Sequence, residues 1–456
     1  MRTSECGFDL GVRDDGMVCQ GPDGGYQGDD SAYNRYLKSK GYSGENPWHD
    51  YATSGVDENL NIKSGFELVN VSMPANVREE DSETAWLTDC MIEWLESRNN
   101  GAGNASAITP WCVHLSYIKP HWPFIVPAPY HDMYLKDQML PVAKSEQELQ
   151  NEHPVLKAFR NGVVAKTATS DDARNKVVPA YMGLVKQCDD HLGRLLDYLR
   201  ESGRMEDTTI VLTSDHGDYL GDHYLGEKGL FHDCSVKVPL IIMDPGTDAD
   251  STRGSVCDEL VEAIDLLPTF LDMHTGEASS EALAHILEGR SLLPYLHGLS
   301  GAGDTFTPRE YAISEYDFSM TPIGNALGLP VDDCRWYVVI DKRWKYIAFT
   351  AAQFRPILLD LQTDPDEYND LGGSQDATHV EVMALMEKRL QQWHQRNTQR
   401  ATMSDQAIRA STGKSLRRGV VLGHYEAAEE QEELFSKYRG SVDYDYTPGG
   451  GDSTKE

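Results

Sequence analysis

Apolar positions along this chain follow two periods, and the way they alternate predicts its architecture. Trp86, Leu87, Cys90, Met91, Trp94 and Leu95 recur at i, i+3/i+4, i+7/i+8 behind Asp81, Ser82 and Glu83, which are helix-starting residues. A second amphipathic helix is predicted over 178–202, with Tyr181, Leu184, Val185, Cys188, Leu192, Leu195, Leu196 and Leu199 on one side and a stop near Gly203. Between and after them lie short apolar runs that read as strands: Trp111 to Tyr117, Thr209 to Leu212, and Pro239 to Met243. Residues 258–273 read as a helix bent at Pro268. Helix and strand alternating in this way predict an α/β fold, a mainly parallel central sheet flanked by helices.

Past about residue 305 the pattern changes. Trp336 to Ile340 and Trp344 to Phe349, separated by Asp341-Lys342-Arg343, predict a hairpin that Leu358 to Leu361 extends. A helix follows over 378–396, with Val382, Leu385, Met386, Leu390 and Trp393 on one face. The chain thus reads as an α/β domain over 1–304 and a smaller C-terminal α+β subdomain with an antiparallel sheet over 305–400. A polar acidic tail over 401–456 is expected to form a surface helix around Glu426 to Glu433 and then to be disordered. Residues 1–60, rich in Gly, Asp, Tyr and Ser, show no strong period.

Charge narrows the partners. With 73 acidic residues against 41 Lys plus Arg, the formal charge is −32. That balance argues against nucleic acid or an anionic membrane, so an anionic substrate has to be captured by local positive charge or a metal. No run approaches the roughly 18 apolar residues of a membrane span, and the polar start has no leader-like apolar stretch. A cytoplasmic protein is expected, with self-association into a homo-oligomer left open. The eight cysteines form no CxxC pair. They read mostly as buried thiols in a reducing compartment.

The chemistry concentrates at Thr213-Ser214-Asp215-His216-Gly217, directly behind the 209–212 run and followed by Gly221-Asp222-His223 and Lys228. In α/β sheets ligands gather at the carboxyl ends of strands. Asp215 offers a hard oxygen and His216 a borderline nitrogen to one divalent cation, while Gly217 permits a sharp turn. In isolation an Asp-His pair reads equally well as a helix cap beside a packed imidazole. The company of Gly221-Asp222-His223 and Lys228 favours a metal and an anion. A second candidate is Lys119-Pro120-His121-Trp122-Pro123-Phe124, where two prolines restrict the backbone around His121. A His between prolines is more often a packing feature, but its rigid presentation suits a proton or hydrogen-bond donor.

The stretch Ser214 to His223 with Lys228 resembles the central motif of the sulfatases and the related phosphonate monoester hydrolases of the alkaline phosphatase superfamily. Lys119 to Phe124 resembles the family's PHxPF segment, Val238 to Ile242 its VPLII strand, and Ala263 to Thr269 its SVDLMPT helix. Gly289 to Pro294 and Leu359 to Glu367 resemble its C-terminal landmarks. The resemblance implies that Asp215 and His216 bind one divalent metal, calcium first, with manganese, magnesium or zinc as alternatives. It implies that His121 contacts the substrate anion or protonates the leaving group, and that Lys228 holds the transferring sulfuryl or phosphoryl oxygens. The substrate is then a small anionic ester, and the expected activity is sulfate ester hydrolysis. Phosphonate or phosphate monoester hydrolysis, or a non-catalytic relative, are the alternatives. His rather than Asn after Asp215 leaves the leaving-group class open. The family's paired acidic ligands on a first strand and its C-x-P/A-x-R segment, source of a formylglycine nucleophile, do not occur here. A chain lacking an N-terminal portion is therefore expected.

Overall fold

The computed structural model describes residues 12, 31–100, 110–134, 139–162, 170–275, 279–298 and 307–397. The helix and tail expected over 401–456 lie outside the described residues. Two compact units divide the chain, Met1–Leu260 with Pro308–Gln391 and Val261–Thr307 with Gln392–Glu456.

In the first unit, helix α1 (Ala32–Ser39) precedes a two-stranded ribbon, β1 (Ser54–Val56) and β2 (Ile62–Ser64). The periodic segments then form α2 (Glu83–Asn100), α3 (Pro154–Asn161) and α4 (Asp171–Glu201). α4 begins seven residues before the predicted start (178 − 171) because Ser170 caps it, accepting from Ala173 N at 3.2 Å, with Asp171 and Asp172 in the first turn. Leu95 of α2 packs with Leu195 and Leu199 of α4, all buried. This is the apolar stripe that the period predicts.

The strand pattern departs from expectation. β3 (Ile210–Thr213) and β4 (Leu240–Met243) pair with each other antiparallel, with Thr213 opposite Leu240. Every named strand ladder among the described residues is antiparallel, so they show no mainly parallel central sheet. A parallel return needs a crossover, usually a helix, that carries the chain back along the sheet. Between β3 and β4 the only α-helix is α5 (Asp233–Val236), one turn long, so the chain re-enters at the end it left. Both strands are apolar yet only partly covered, and Ile241 is 62% exposed. Residues 111–117 alternate between partly buried and exposed, as a strand would, but belong to no ladder. Their pattern was readable, whereas a partner is a property of the whole chain.

The C-terminal hairpin forms as predicted. β5 (Ala312–Asp317), β6 (Arg335–Ile340), β7 (Trp344–Phe349) and β8 (Ile357–Asp360) make one antiparallel sheet in that order. Asp341 builds the β6–β7 turn, its Oδ1 accepting from Arg343 N at 2.9 Å and Trp344 N at 2.7 Å. Helix α10 (Ala377–Asn397) meets β7 where Tyr346 Oη donates to Glu387 Oε2 at 2.9 Å; Met386 and Leu390 are buried, while Leu385, expected on the same face, is 48% exposed. A core of Val155 and Phe159 from α3, Tyr219, Leu230 and Phe231 from the β3–β4 connection, Ile323 from α9 (Pro322–Ala326) and Trp336, Val338, Ile347 and Leu359 from the sheet joins these parts.

The second unit holds α6 (Leu266–Thr275), α7 (Ser279–Ala282) and α8 (Leu293–Leu296). Pro268 lies in the first turn of α6, where a missing N–H costs nothing, so it starts the helix rather than bending it. Residues 258–262 are not helical. A Cβ on Gly289 would sit 2.0 Å from the Ile264 carbonyl oxygen, which explains a glycine there.

The cysteines also differ from expectation. Of the six described, all free, Cys334 is buried, Cys112 and Cys257 are exposed, and the others are intermediate.

Candidate active site

All four residues singled out in the sequence lie in the first unit. β3 ends at Thr213, and the chain turns at once into Ser214 and Asp215. Ser214 Oγ donates to the His216 carbonyl at 2.8 Å, and His216 N donates to Asp215 Oδ1 at 3.0 Å. Gly217 is needed here, though not for the backbone freedom expected of it: it is absent from the left-handed glycines. A Cβ at Gly217 would lie 2.0 Å from Cys234 O, and its N–H donates to Ser235 O at 2.8 Å. The turn is therefore stacked directly on α5.

Asp215 and His216 converge. His216 Nε2 is 3.5 Å from Asp215 Oδ2, and the Asp215 side chain is 85% exposed. His216 Nδ1 lies 2.7 Å from Gly217 O, which must accept its proton. Nε2 faces the carboxylate. A metal-bound imidazole usually donates its other N–H to just such a carbonyl. The pair fits part of the shell of one divalent cation. Among the described residues no group of three or more His, Cys, Asp or Glu converges to complete it.

His121 and Lys228 are 107 positions apart in sequence and meet directly, with Lys228 Nζ 2.8 Å from His121 Nε2. The tautomer follows from the other nitrogen. Nδ1 is 2.9 Å from the Trp122 carbonyl and so carries the proton, leaving Nε2 to accept from the Lys228 ammonium. Burial, aided by the positive charges of Lys228, His216 and Lys119, pulls the imidazole below its usual pKa despite the Trp122 hydrogen bond. His121 thus rests neutral. Its ring lies 6.2 Å from that of His216, centroid to centroid, so the His121–Lys228 pair and the Asp215–His216 pair adjoin.

Two carboxyl groups near Lys228 were not anticipated. Burial pushes Asp218 up to about 7, and burial also raises Glu227. At that value Asp218 is partly protonated near neutral pH. Alternation offers no signal for this, since both read as solvated acids.

The Gly221-Asp222-His223 segment serves the scaffold instead. Asp222 Oδ1 accepts from Ala143 N at 2.9 Å, and His223 Nδ1 lies 2.7 Å from Glu148 Oε2 in a buried pair. His223 stacks on His232 at 3.9 Å between centroids, and Tyr219 Oη lies 2.8 Å from His232 Nδ1. Leu220, His223, Tyr224 and Glu227 all have φ between 45 and 59°, a costly backbone that this network holds in place.

Burial forces His232 well below the ordinary value of 6.5, with the neighbouring His223 adding to it. A base depressed in the folded state contributes stability that is complete above its unfolded pKa and is lost as pH falls below it. Unfolding free energy is therefore expected to fall as pH drops below 6.5. A His232→Phe variant, which keeps the stacking on His223, should show a shallower decline in denaturant titrations. An unchanged pH slope would contradict this.

The sulfatase family profile matches residues 25–276, and a profile for the C-terminal part of N-sulphoglucosamine sulphohydrolase matches residues 221–396. The chain belongs to the sulfatase family, within the alkaline phosphatase superfamily. It is 33% identical over 312 residues to the multifunctional alkaline phosphatase superfamily protein PehA of Trinickia caryophylli, covering 66% of this chain and 57% of that one. To an arylsulfatase of Clostridium perfringens it is 29% identical over 312 residues, covering 67% and 57%. The chain thus spans little more than half the length of these relatives. Among solved structures, a phosphonate monoester hydrolase from Silicibacter pomeroyi superposes with a TM-score of 0.66 at 27% identity, covering 82% of this chain and 71% of that one. Among the described residues no helix is long and apolar enough to cross a membrane.

Proposed function

We propose that this site binds the sulfuryl group of a small sulfate ester and supports its hydrolysis. The observation that carries the reading is the 2.8 Å contact of Lys228 with His121 beside the converging Asp215 and His216. An anion arriving at Lys228 takes up its N–H donors and adds negative charge next to His121. Both effects raise the affinity of Nε2 for a proton, so the ring, a neutral acceptor at rest, takes one up from solvent and can deliver it to the leaving oxygen. Asp215 and His216 would hold one divalent ion, calcium in the first instance, which supplies charge neutralisation at the transferring oxygens when bound. The remaining ligands and the nucleophile are not supplied by motifs in this sequence, since none of the eight cysteines is followed by x-Pro/Ala-x-Arg.

A second reading, hydrolysis of phosphonate monoesters, is favoured by His216 and by the likeness to phosphonate monoester hydrolases from Silicibacter pomeroyi and Agrobacterium radiobacter, with TM-scores of 0.66 and 0.64. A paired assay of a nitrophenyl sulfate and a nitrophenyl phosphonate in saturating calcium separates them. Faster cleavage of the sulfate is expected. Faster cleavage of the phosphonate would replace the first reading with the second. Cleavage of neither would leave a non-catalytic anion-binding relative.

A further inference from the structure

Near the turn that presents His121 is a cavity of about 20 Å³, lined among others by Thr53, Ser82, Glu83, Thr84, Lys119 and Gln187. A void of that size holds one water where, as here, several polar side chains line part of an otherwise apolar wall. Glu83 is 7% exposed, and its Oε1 has no hydrogen-bond partner. A buried carboxylate oxygen left unpaired is costly, so it marks a place for a donor. Lys119, on the same wall, donates to Pro123 O at 2.8 Å and to His121 O at 3.4 Å, leaving one of its three N–H groups over. Burial pulls the Lys119 ammonium below its usual pKa, and the charge of Glu83 opposes that pull. No direct ion pair joins the two groups, although each needs what the other offers.

We propose that a single water in this cavity bridges Lys119 Nζ to Glu83 Oε1, and that the bridged pair positions His121 by gripping the carbonyls of residues 121 and 123. Lys119 is a positioning residue: it touches the backbone that carries the imidazole. The inference rests on His121 belonging to the anion site, but the geometry it asserts is separate. Holding the 121–123 backbone fixes the Trp122 carbonyl against His121 Nδ1, and with it the single tautomer that turns Nε2 toward Lys228.

The test is nitrogen NMR of the His121 ring in the whole protein and in Lys119→Met and Glu83→Gln variants, with a high-resolution crystal structure of the parent. In the parent, Nδ1 is expected to carry the proton alone, and one ordered water should lie within hydrogen-bond distance of both Nζ and Oε1. In the variants the ring should populate both tautomers, and affinity for inorganic sulfate should fall about tenfold, the low end for loss of an outer-shell partner. A merely structural role would lower thermal stability without moving the tautomer. If Lys119→Met does not fold, Glu83→Gln, which keeps size and removes charge, decides. Retention of the parental tautomer in the folded variants overturns the positioning claim, and a dry cavity overturns the bridge. A parent that binds no sulfate removes the functional reading, while the tautomer still decides this one.

Discussion

Replacing Lys345 by Met is expected to destabilise the protein by about 3–5 kcal/mol, the scale for removing one partner of a buried ion pair. Lys345 lies on β7 with its side chain fully buried. Its ammonium donates to Phe231 O at 2.9 Å, to Asp233 Oδ1 at 2.7 Å and to Glu367 Oε1. Glu367 in turn accepts from Asp233 N at 2.6 Å. The cluster pins α5 to the sheet, and Gly217 is stacked on α5, so the support of Asp215 and His216 runs back to this lysine. Without it the buried Glu367 loses its counter-charge, with the Asp233 carboxylate still beside it and Lys237, 3.8 Å from Asp233 Oδ2, left to offset that. Burial already raises Glu367, and Lys345 is the largest opposing influence. The variant's Glu367 should therefore hold its proton more tightly, and its stability should fall as pH rises through that raised value. The deficit is expected to be larger at pH 8 than at pH 5. Denaturant unfolding at both pH values measures it, and a deficit below about 1 kcal/mol, the scale of an exposed pair, would contradict a buried one.

The second large effect concerns the paired residues of the site. In a protein that also carries the family's nucleophile segment, Lys228→Ala is expected to reduce ester turnover by roughly 10²–10³-fold, the scale for loss of one electrostatic donor. His121→Ala should cost about 10²–10⁴-fold, the scale for a positioned proton donor. Because each side chain contacts the other, the losses should not add: the double variant should fall short of the product of the single ones. Circular dichroism of each variant should match the parent. Near-normal turnover in either single variant would remove that residue from the chemistry.

How much of this was legible depended on whether a feature is local. α2, α4, α10 and the β6–β7 hairpin follow from periodicity and from turn residues such as Asp341, which act within a few positions. The direction of β3 against β4 does not. Two continuous apolar runs read as buried parallel strands, yet the one-turn α5 cannot carry a crossover, and both strands remain partly exposed. Residues 111–117 show the same limit, having a strand's alternation and no ladder.

The site divides along the same line. Asp215, His216, His121 and Lys228 stood out because unusual residue types cluster behind apolar runs. Glu83, Lys119 and Lys345 did not, since a Lys or Glu in an amphipathic segment ordinarily marks a solvated face. Burial of Lys345 is set by Phe231, Asp233 and Glu367, the first two more than a hundred positions away. Gly217 was picked correctly for a different reason, the approach of the Cys234 carbonyl.

The central claim is that Lys228 and His121, beside Asp215 and His216, form one anion site coupled to a cation. Calorimetric titration of inorganic sulfate into the parent protein, with and without calcium, and into Lys228→Ala tests it most directly. The account predicts that sulfate binds the parent, that calcium tightens it, and that the variant loses at least about tenfold in affinity, the lower end for a hydrogen bond to a charged group. Sulfate binding that is equally tight in parent and variant, or absent from the parent in both conditions, would contradict it.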